Sequence, residues 1–472
     1  MDANAGKPAR AWKTHGILML LALLLLALIP VCSRALPVFA RQTGQNCLAC
    51  HAGGQFPELT QYGRMFKLTG YTIGQRTVPL AAMGVASVSD VRNTSHSDDP
   101  SADFQKNGSL IFATASVFAA GKITDNVGAF VQVTYDNYGK QGSDGSWRGH
   151  SGADNMDIRY ADRFIDTNRD LVFGVSANNN PSIADPWNSA AAWMQYVPVP
   201  SPTSSAFIDG AAPYPGFAAG GNIAGVTAYA YWNQTLYVEA GGYRSAKGIA
   251  SFMSAGVADA DKTRLQGTNP YWRIALSRAF GAHDVMVGLA GMSSDIYDDP
   301  LDTSDPASVH RLRDIGVDAQ YQYLLDPHTA TVLLAYMRDT HHVPAFLANQ
   351  PVFDAAGDPL ANTNASDRTN VFRAKASYTY RARYGGSLSF FNQTGTTDTA
   401  LYDPTPVFGN VSANPAIRGW TTEAYWLPVQ YLRIGVQYTM YGRYNGASHN
   451  YDGAGRNASD NDSLFLYFWG AY

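Results

Sequence analysis

Cys47, Cys50 and His51 stand in the order C-x-x-C-H, the one stretch of this 472-residue chain whose residue types and spacing specify a chemistry. In that arrangement two thiols can add across the vinyl groups of a porphyrin, and the adjacent imidazole can turn onto its iron, which is c-type haem attachment. A redox dithiol is the competing use of C-x-x-C. A zinc site would need two more Cys or His ligands at short spacing, and none follows. The remaining cysteine, Cys32, lies in or just after an apparent leader, so the mature chain is expected to carry two thiols, both used by one haem c.

The leader fits this reading. Lys7, Arg10 and Lys13 form a positive start, Ile17 to Ile29 an apolar run too short to span a bilayer, and Ser33-Arg34-Ala35 or Val38-Phe39-Ala40 a small-residue cleavage site. We read 1–35 as a signal peptide cleaved after Ala35. Ile29-Pro30-Val31 lacks the small residue that a lipoprotein signal wants before its cysteine. Export matters because covalent haem attachment in bacteria takes place outside the cytoplasm.

The elements that must position the haem follow from composition and period. Past the leader no apolar stretch reaches the ~20 residues of a membrane helix. The chain has 44 Gly and 28 Tyr and is only 15% charged. Its formal charge of −4 becomes about −7 once the leader's excess of cations is removed, which argues against nucleic acid as a partner.

From about residue 80 onward, ten-residue segments alternate apolar with polar or small side chains, the period of a strand with different solvents on its two faces. Ile315, Val317, Ala319, Tyr321 and Tyr323 share one face and Asp314, Gly316, Asp318, Gln320 and Gln322 the other. Phe372, Ala374, Ala376 and Tyr378 oppose Arg373, Lys375 and Ser377; Leu432, Ile434, Val436 and Tyr438 oppose Arg433, Gly435 and Gln437. A soluble sandwich also alternates, but the connections decide. Short turns such as Asn233-Gln234, Gly281-Ala282 and Asp326-Pro327-His328 alternate with long polar links such as Arg92 to Lys106 and Thr340 to Arg368. That alternation, with an even strand number, predicts an all-β fold: a transmembrane antiparallel barrel of about sixteen strands over 79–472, in the bacterial outer membrane. The ending Leu464, Leu466, Phe468, Gly470, Tyr472 resembles the C-terminal signal of such barrels. Pairs such as Tyr231-Trp232, Tyr271-Trp272 and Tyr425-Trp426 are expected in the interfacial girdles.

The segment 36–78 is too small to enclose a haem alone. We expect it to be mainly helical, with its haem plugging or capping the barrel at the periplasmic mouth or in the lumen. Opposite His51, an electron carrier wants Met or His. Met65, Met83 and His96 are candidates: Met65 on a short helix where filling a core is an equal use, Met83 at the start of the first strand. On position Met83 is favoured, with a lipid-facing or packing role as its alternative. Asp298-Asp299, Asp98-Asp99 and Asp339 with His341-His342 offer ligand types for a metal, although charged loop residues are usually just solvated.

Ala40-Arg41-Gln42-Thr43-Gly44, Phe56-Pro57-Glu58-Leu59-Thr60, Tyr62-Gly63-Arg64 and Phe66-Lys67-Leu68-Thr69-Gly70-Tyr71 resemble the fused monohaem cytochrome c–porin outer-membrane iron oxidases of iron-oxidising bacteria. Val172-Phe173-Gly174-Val175, Asn178-Asn179-Asn180-Pro181 and Asp185-Pro186-Trp187-Asn188 resemble related haem-bearing outer-membrane proteins. The resemblance implies an iron oxidoreductase that takes electrons from extracellular ferrous iron and passes them to a periplasmic carrier, a soluble cytochrome c or cupredoxin. It also favours Met83 as the distal ligand. The longest loop, after the fifth strand, is expected to fold inward near the haem, as in general porins. Two other functions fit the same barrel: an electron conduit with a non-iron donor or acceptor, and a diffusion porin with a structural haem plug.

Overall fold

The computed structural model describes residues 37–54, 58–93, 107–141, 147–188, 222–255, 264–353, 359–402 and 410–472. Residues 1–36, which hold the expected signal peptide and Cys32, lie outside them, as do His96, Asp98-Asp99 and residues 189–221 of the longest loop.

Among the described residues three short α-helices precede the strands: α1 Pro37–Thr43, α2 Cys47–Cys50 and α3 Gln61–Leu68. Asn46 caps α2 by accepting from the Ala49 amide, and Thr60 caps α3 by accepting from the Gly63 amide. Sixteen strands then close into one antiparallel barrel: β1 Leu80–Val91, β2 Leu110–Lys122, β3 Val127–Gln141, β4 Trp147–Ile165, β5 Asp170–Asn178, β6 Ile223–Trp232, β7 Leu236–Ser245, β8 Asn269–Phe280, β9 His283–Tyr297, β10 Val309–Leu325, β11 His328–His342, β12 Ser366–Tyr380, β13 Tyr384–Gly395, β14 Ile417–Val429, β15 Leu432–Arg443 and β16 Ser463–Ala471. Neighbours in sequence are neighbours in the sheet, and β16 closes the ring on β1 with Met83 opposite Ala471 and Val91 opposite Ser463. The link after β11 holds a separate hairpin of Pro351–Phe353 and Pro359–Asn362.

The alternation resolves as the sequence predicts, with the apolar faces outward. Val117, Val226, Leu276, Val287, Ile315 and Leu388 are all exposed, while Asp314, Asp318, Gln320, Arg373, Arg433 and Gln437 are buried inside. A barrel with that inversion suits hydrocarbon around it and polar groups within. The girdle expectation is corrected for one member of each pair. Trp232, Trp272 and Trp426 face outward, but Tyr231 and Tyr271 are 3% and 1% exposed and point into the lumen. Adjacent strand residues must face opposite sides, so each Tyr-Trp dipeptide supplies one ring to the belt and one to the interior.

The lumen contains two large apolar clusters. Tyr243, Tyr271, Met292, Phe391, Tyr441 and Tyr451 pack toward the long-loop end. Met65, Leu68, Trp187, Tyr229, Tyr231 and Tyr237 pack where α3 meets the wall.

Candidate functional site

The helical segment lies inside the barrel at the short-turn mouth, held by bonds to inward-facing strand and turn residues. Gln42 donates to the Tyr71 carbonyl and accepts from the amide of Lys122, the last residue of β2. Gln61 donates to Gln234 in the turn between β6 and β7. Deeper in, Arg64 forms a buried ion pair with Asp284 at 2.5 Å. Tyr71 donates to Asp157 at 2.6 Å, and Tyr229 donates to the Leu68 carbonyl at 2.7 Å.

Locally, the chain around the C-x-x-C-H motif is folded back on α3. The His51 amide donates to the Cys47 carbonyl, His51 bridges Leu59, and the Thr60 amide donates to the Cys50 carbonyl. Gly63 allows this approach, because a Cβ there would collide with the Cys50 carbonyl. Burial pushes the His51 imidazole down to about 4, leaving it neutral, the form that ligates metal. Burial, then the neighbouring Cys47, pushes the Cys50 thiol up to about 11. A disulfide-exchanging dithiol uses the opposite shift.

These residues open onto a cavity of about 260 Å³ with walls from three parts of the chain. The helical segment supplies Val38, Phe39, Cys47, Cys50, His51, Phe66 and Tyr71; the barrel supplies Met83, Phe118, Phe130, Gln132 and Asn155; the loop after β5 supplies Asn180, Ser182, Ile183 and Asn188. Phe39 stacks on Tyr71 at 5.7 Å between ring centroids and meets Phe66 edge-on at 4.9 Å. Two thiols, an imidazole and a thioether on one cavity partly walled by aromatic rings are a donor set and a surface that a covalently attached porphyrin could use.

Of the distal candidates, Met83 lines this cavity and Met65 does not; Met65 packs with Leu68, Trp187 and Tyr229 instead. The lipid-facing alternative for Met83 is overturned by parity: Ala81, Met83, Ser87 and Ser89 share the inward face of β1. Trp469 of β16 donates its indole N–H to the Met83 sulfur at 3.4 Å.

The start of the longest loop does fold inward. Pro181–Ala184 is a short helix, and Asp185 and Trp187 behind it are fully buried. Arg273 on β8 holds this stretch: its guanidinium pairs with Asp318 at 2.7 Å and with Asp185 at 3.2 Å, and lies over the Trp187 ring. Lys67 donates to the Asp185 carbonyl at 2.9 Å and Arg159 to the Ala184 carbonyl at 2.7 Å, so the loop and the helical segment brace each other. Sequence reasoning missed Arg159 and Arg273. Their signal is a charge on the inward face of a strand, where burial without a partner would be prohibitive.

No family model matches the chain, and no curated protein matches it. Among solved structures it is similar to Salmonella typhi OmpF in complex with daunomycin, at 11% identity and a TM-score of 0.44 over 83% of this chain and 97% of that one. It is also similar to the outer membrane channel DcaP of Acinetobacter baumannii, at 12% identity and a TM-score of 0.41 over 83% of this chain and 96% of that one. An anion-selective porin from Comamonas acidovorans is similar at 11% identity and a TM-score of 0.40, over 84% of this chain and 99% of that one.

Proposed function

We propose that this chain is an outer-membrane cytochrome–porin fusion that oxidises extracellular ferrous iron and delivers the electrons to a periplasmic carrier, a soluble cytochrome c or cupredoxin, using one haem c. The observation that carries the reading is the shared cavity. Donors from the helical segment and Met83 from the barrel wall line it together, although the segment and the wall are separate elements.

A haem held there would supply one-electron chemistry at its iron. Cys47 and Cys50 would bind it covalently, and His51 and Met83 would offer its iron a neutral imidazole and a thioether. Phe39, Phe66, Phe118 and Phe130 present apolar rings to the cavity, and an apolar surrounding is one of the protein's means of setting a haem potential. Arg64, Tyr71 and Gln42 fix the segment so that the donors keep their places against the wall.

Stopped-flow mixing of the purified protein with ferrous iron is the test. Rapid appearance of the reduced haem spectrum is expected; a haem that dithionite reduces and ferrous iron does not would exclude iron as donor. A diffusion porin remains the second reading because a closed sixteen-stranded barrel is on its own a pore-forming shape. Large steady conductance in planar bilayers would favour it. The apolar clusters in the lumen lead us to expect small conductance.

Met83 is tested separately. Met83→Ala is expected to alter the ferrous and ferric haem spectra and to leave covalent attachment intact, since the thiols are untouched. An unchanged spectrum would remove Met83 from the ligand set.

A further inference from the structure

At the opposite rim, among the long loops, the fold assembles a second donor set. Register does this: Leu312 on β10 pairs with His341 on β11, so His310, two residues before Leu312 and on the same face, is the diagonal neighbour of His341. The two imidazoles lie 5.0 Å apart between centroids, with His310 Nδ1 at 2.8 Å from His341 Nε2. On its far side His310 Nε2 is 2.8 Å from Asp298 Oδ1, in the link after β9.

The carboxylate settles the tautomer. Facing Asp298, the Nε2 of a neutral His310 carries the proton and donates, which leaves a lone pair on Nδ1. His341 Nε2 then donates its own proton to that lone pair. Moving this one proton through water to His341 Nδ1 leaves a lone pair on each facing nitrogen with no change in net charge; the two rings, which now point at each other, must then turn for both lone pairs to converge on one ion. Two nitrogens bound in cis positions to one octahedral ion at ordinary metal–nitrogen distances stand about 3 Å apart, close to the spacing already present. A carboxylate behind a ligating histidine is the usual way such a ring is oriented.

We propose that His310 Nδ1 and His341 Nε2 form a docking site for a first-row divalent transition-metal ion, with Asp298 as the positioning residue and water in the remaining places. Imidazole donors select this class over magnesium or calcium. Among the described residues no three His, Cys, Asp or Glu side chains converge on one point. Two protein ligands make a site that exchanges its ion, which suits a substrate rather than a resident cofactor. As a binding site it is independent of the haem; its use as the entry point for ferrous iron rests on the function proposed above.

The experiment is anaerobic calorimetric titration of the full-length protein in detergent with Co²⁺, each variant first checked for barrel folding by heat-modifiable gel mobility. Wild type is expected to bind one ion that the double variant His310→Ala with His341→Ala does not. His310→Gln and His341→Gln, which keep polar side chains at the rim, should each weaken binding at least about tenfold, and Asp298→Asn by about 10- to 100-fold. His342→Ala, on the opposite face of β11, should change nothing. Equal Co²⁺ binding by wild type and the double variant, or full displacement of Co²⁺ by an equal concentration of Mg²⁺, overturns the site. Co²⁺ binding with ferrous reduction of the haem unaltered in the double variant overturns only its role as entry point. Co²⁺ binding by a wild type whose haem ferrous iron cannot reduce overturns the iron reading and leaves the site standing.

Discussion

Cys47→Ala together with Cys50→Ala is expected to abolish the haem stain that survives denaturing electrophoresis, and with it all reduction by ferrous iron, while the barrel still folds. The reason lies in how the two parts are held. The strands are joined by continuous ladders around the ring, none of which involves residues 37–79. The helical segment keeps its anchors through Arg64, Tyr71 and Gln42. What the two alanines remove is covalent attachment; His51 and Met83 alone would leave any bound porphyrin extractable. Retention of a denaturation-resistant haem in the double variant would contradict the assignment of these thiols.

Arg273→Ala carries the largest expected effect on stability. Arg273 is fully buried between two carboxylates, with both terminal nitrogens on Asp318, at 3.0 and 2.7 Å, and Nε at 3.2 Å from Asp185. Deleting it strands negative charge in a water-poor lumen, and removing one partner of a buried pair costs about 3–5 kcal/mol. The loss is expected as a lower urea midpoint for unfolding in detergent. Because Asp185 and Trp187 are fixed by the same guanidinium, the inward-folded loop should loosen too, raising bilayer conductance. Arg273→Lys should recover only part, since an ammonium cannot hold the bidentate pair and Asp185 together. A loss of unfolding free energy below about 1 kcal/mol in Arg273→Ala would mean that the loop is held by other contacts.

The barrel was legible because its signal is local. Period-two alternation, turn residues and link lengths are each visible within ten residues, and the barrel closes with sixteen strands, the number those signals predict. The inward place of Met83 is also a matter of parity. The lumen was not legible in the same way. Arg64 and Asp284 are 220 residues apart and Arg273 and Asp318 are 45 apart, and the strand tilt and stagger that bring such pairs together leave no mark in any short window. His310 escaped notice for the same reason. As a single histidine at a strand start it carries no motif; only the β9–β10–β11 register places it between Asp298 and His341.

The seam between β1 and β16 has a consequence for how the cavity comes into being. Met83 sits on the first strand, and the indole that bonds its sulfur sits on the last, 386 residues later. Hydrogen bonds from the helical segment to the wall span from 39 residues, for Arg41 with Leu80, to 263, for Leu59 with Gln322. Closing loops of that length is entropically costly and comes late in folding. The chamber is therefore a product of ring closure, and no N-terminal fragment of the chain contains it. A truncation that removes Ser463–Tyr472, far from Cys47 and Cys50 in sequence, opens the ring at the seam that holds Met83.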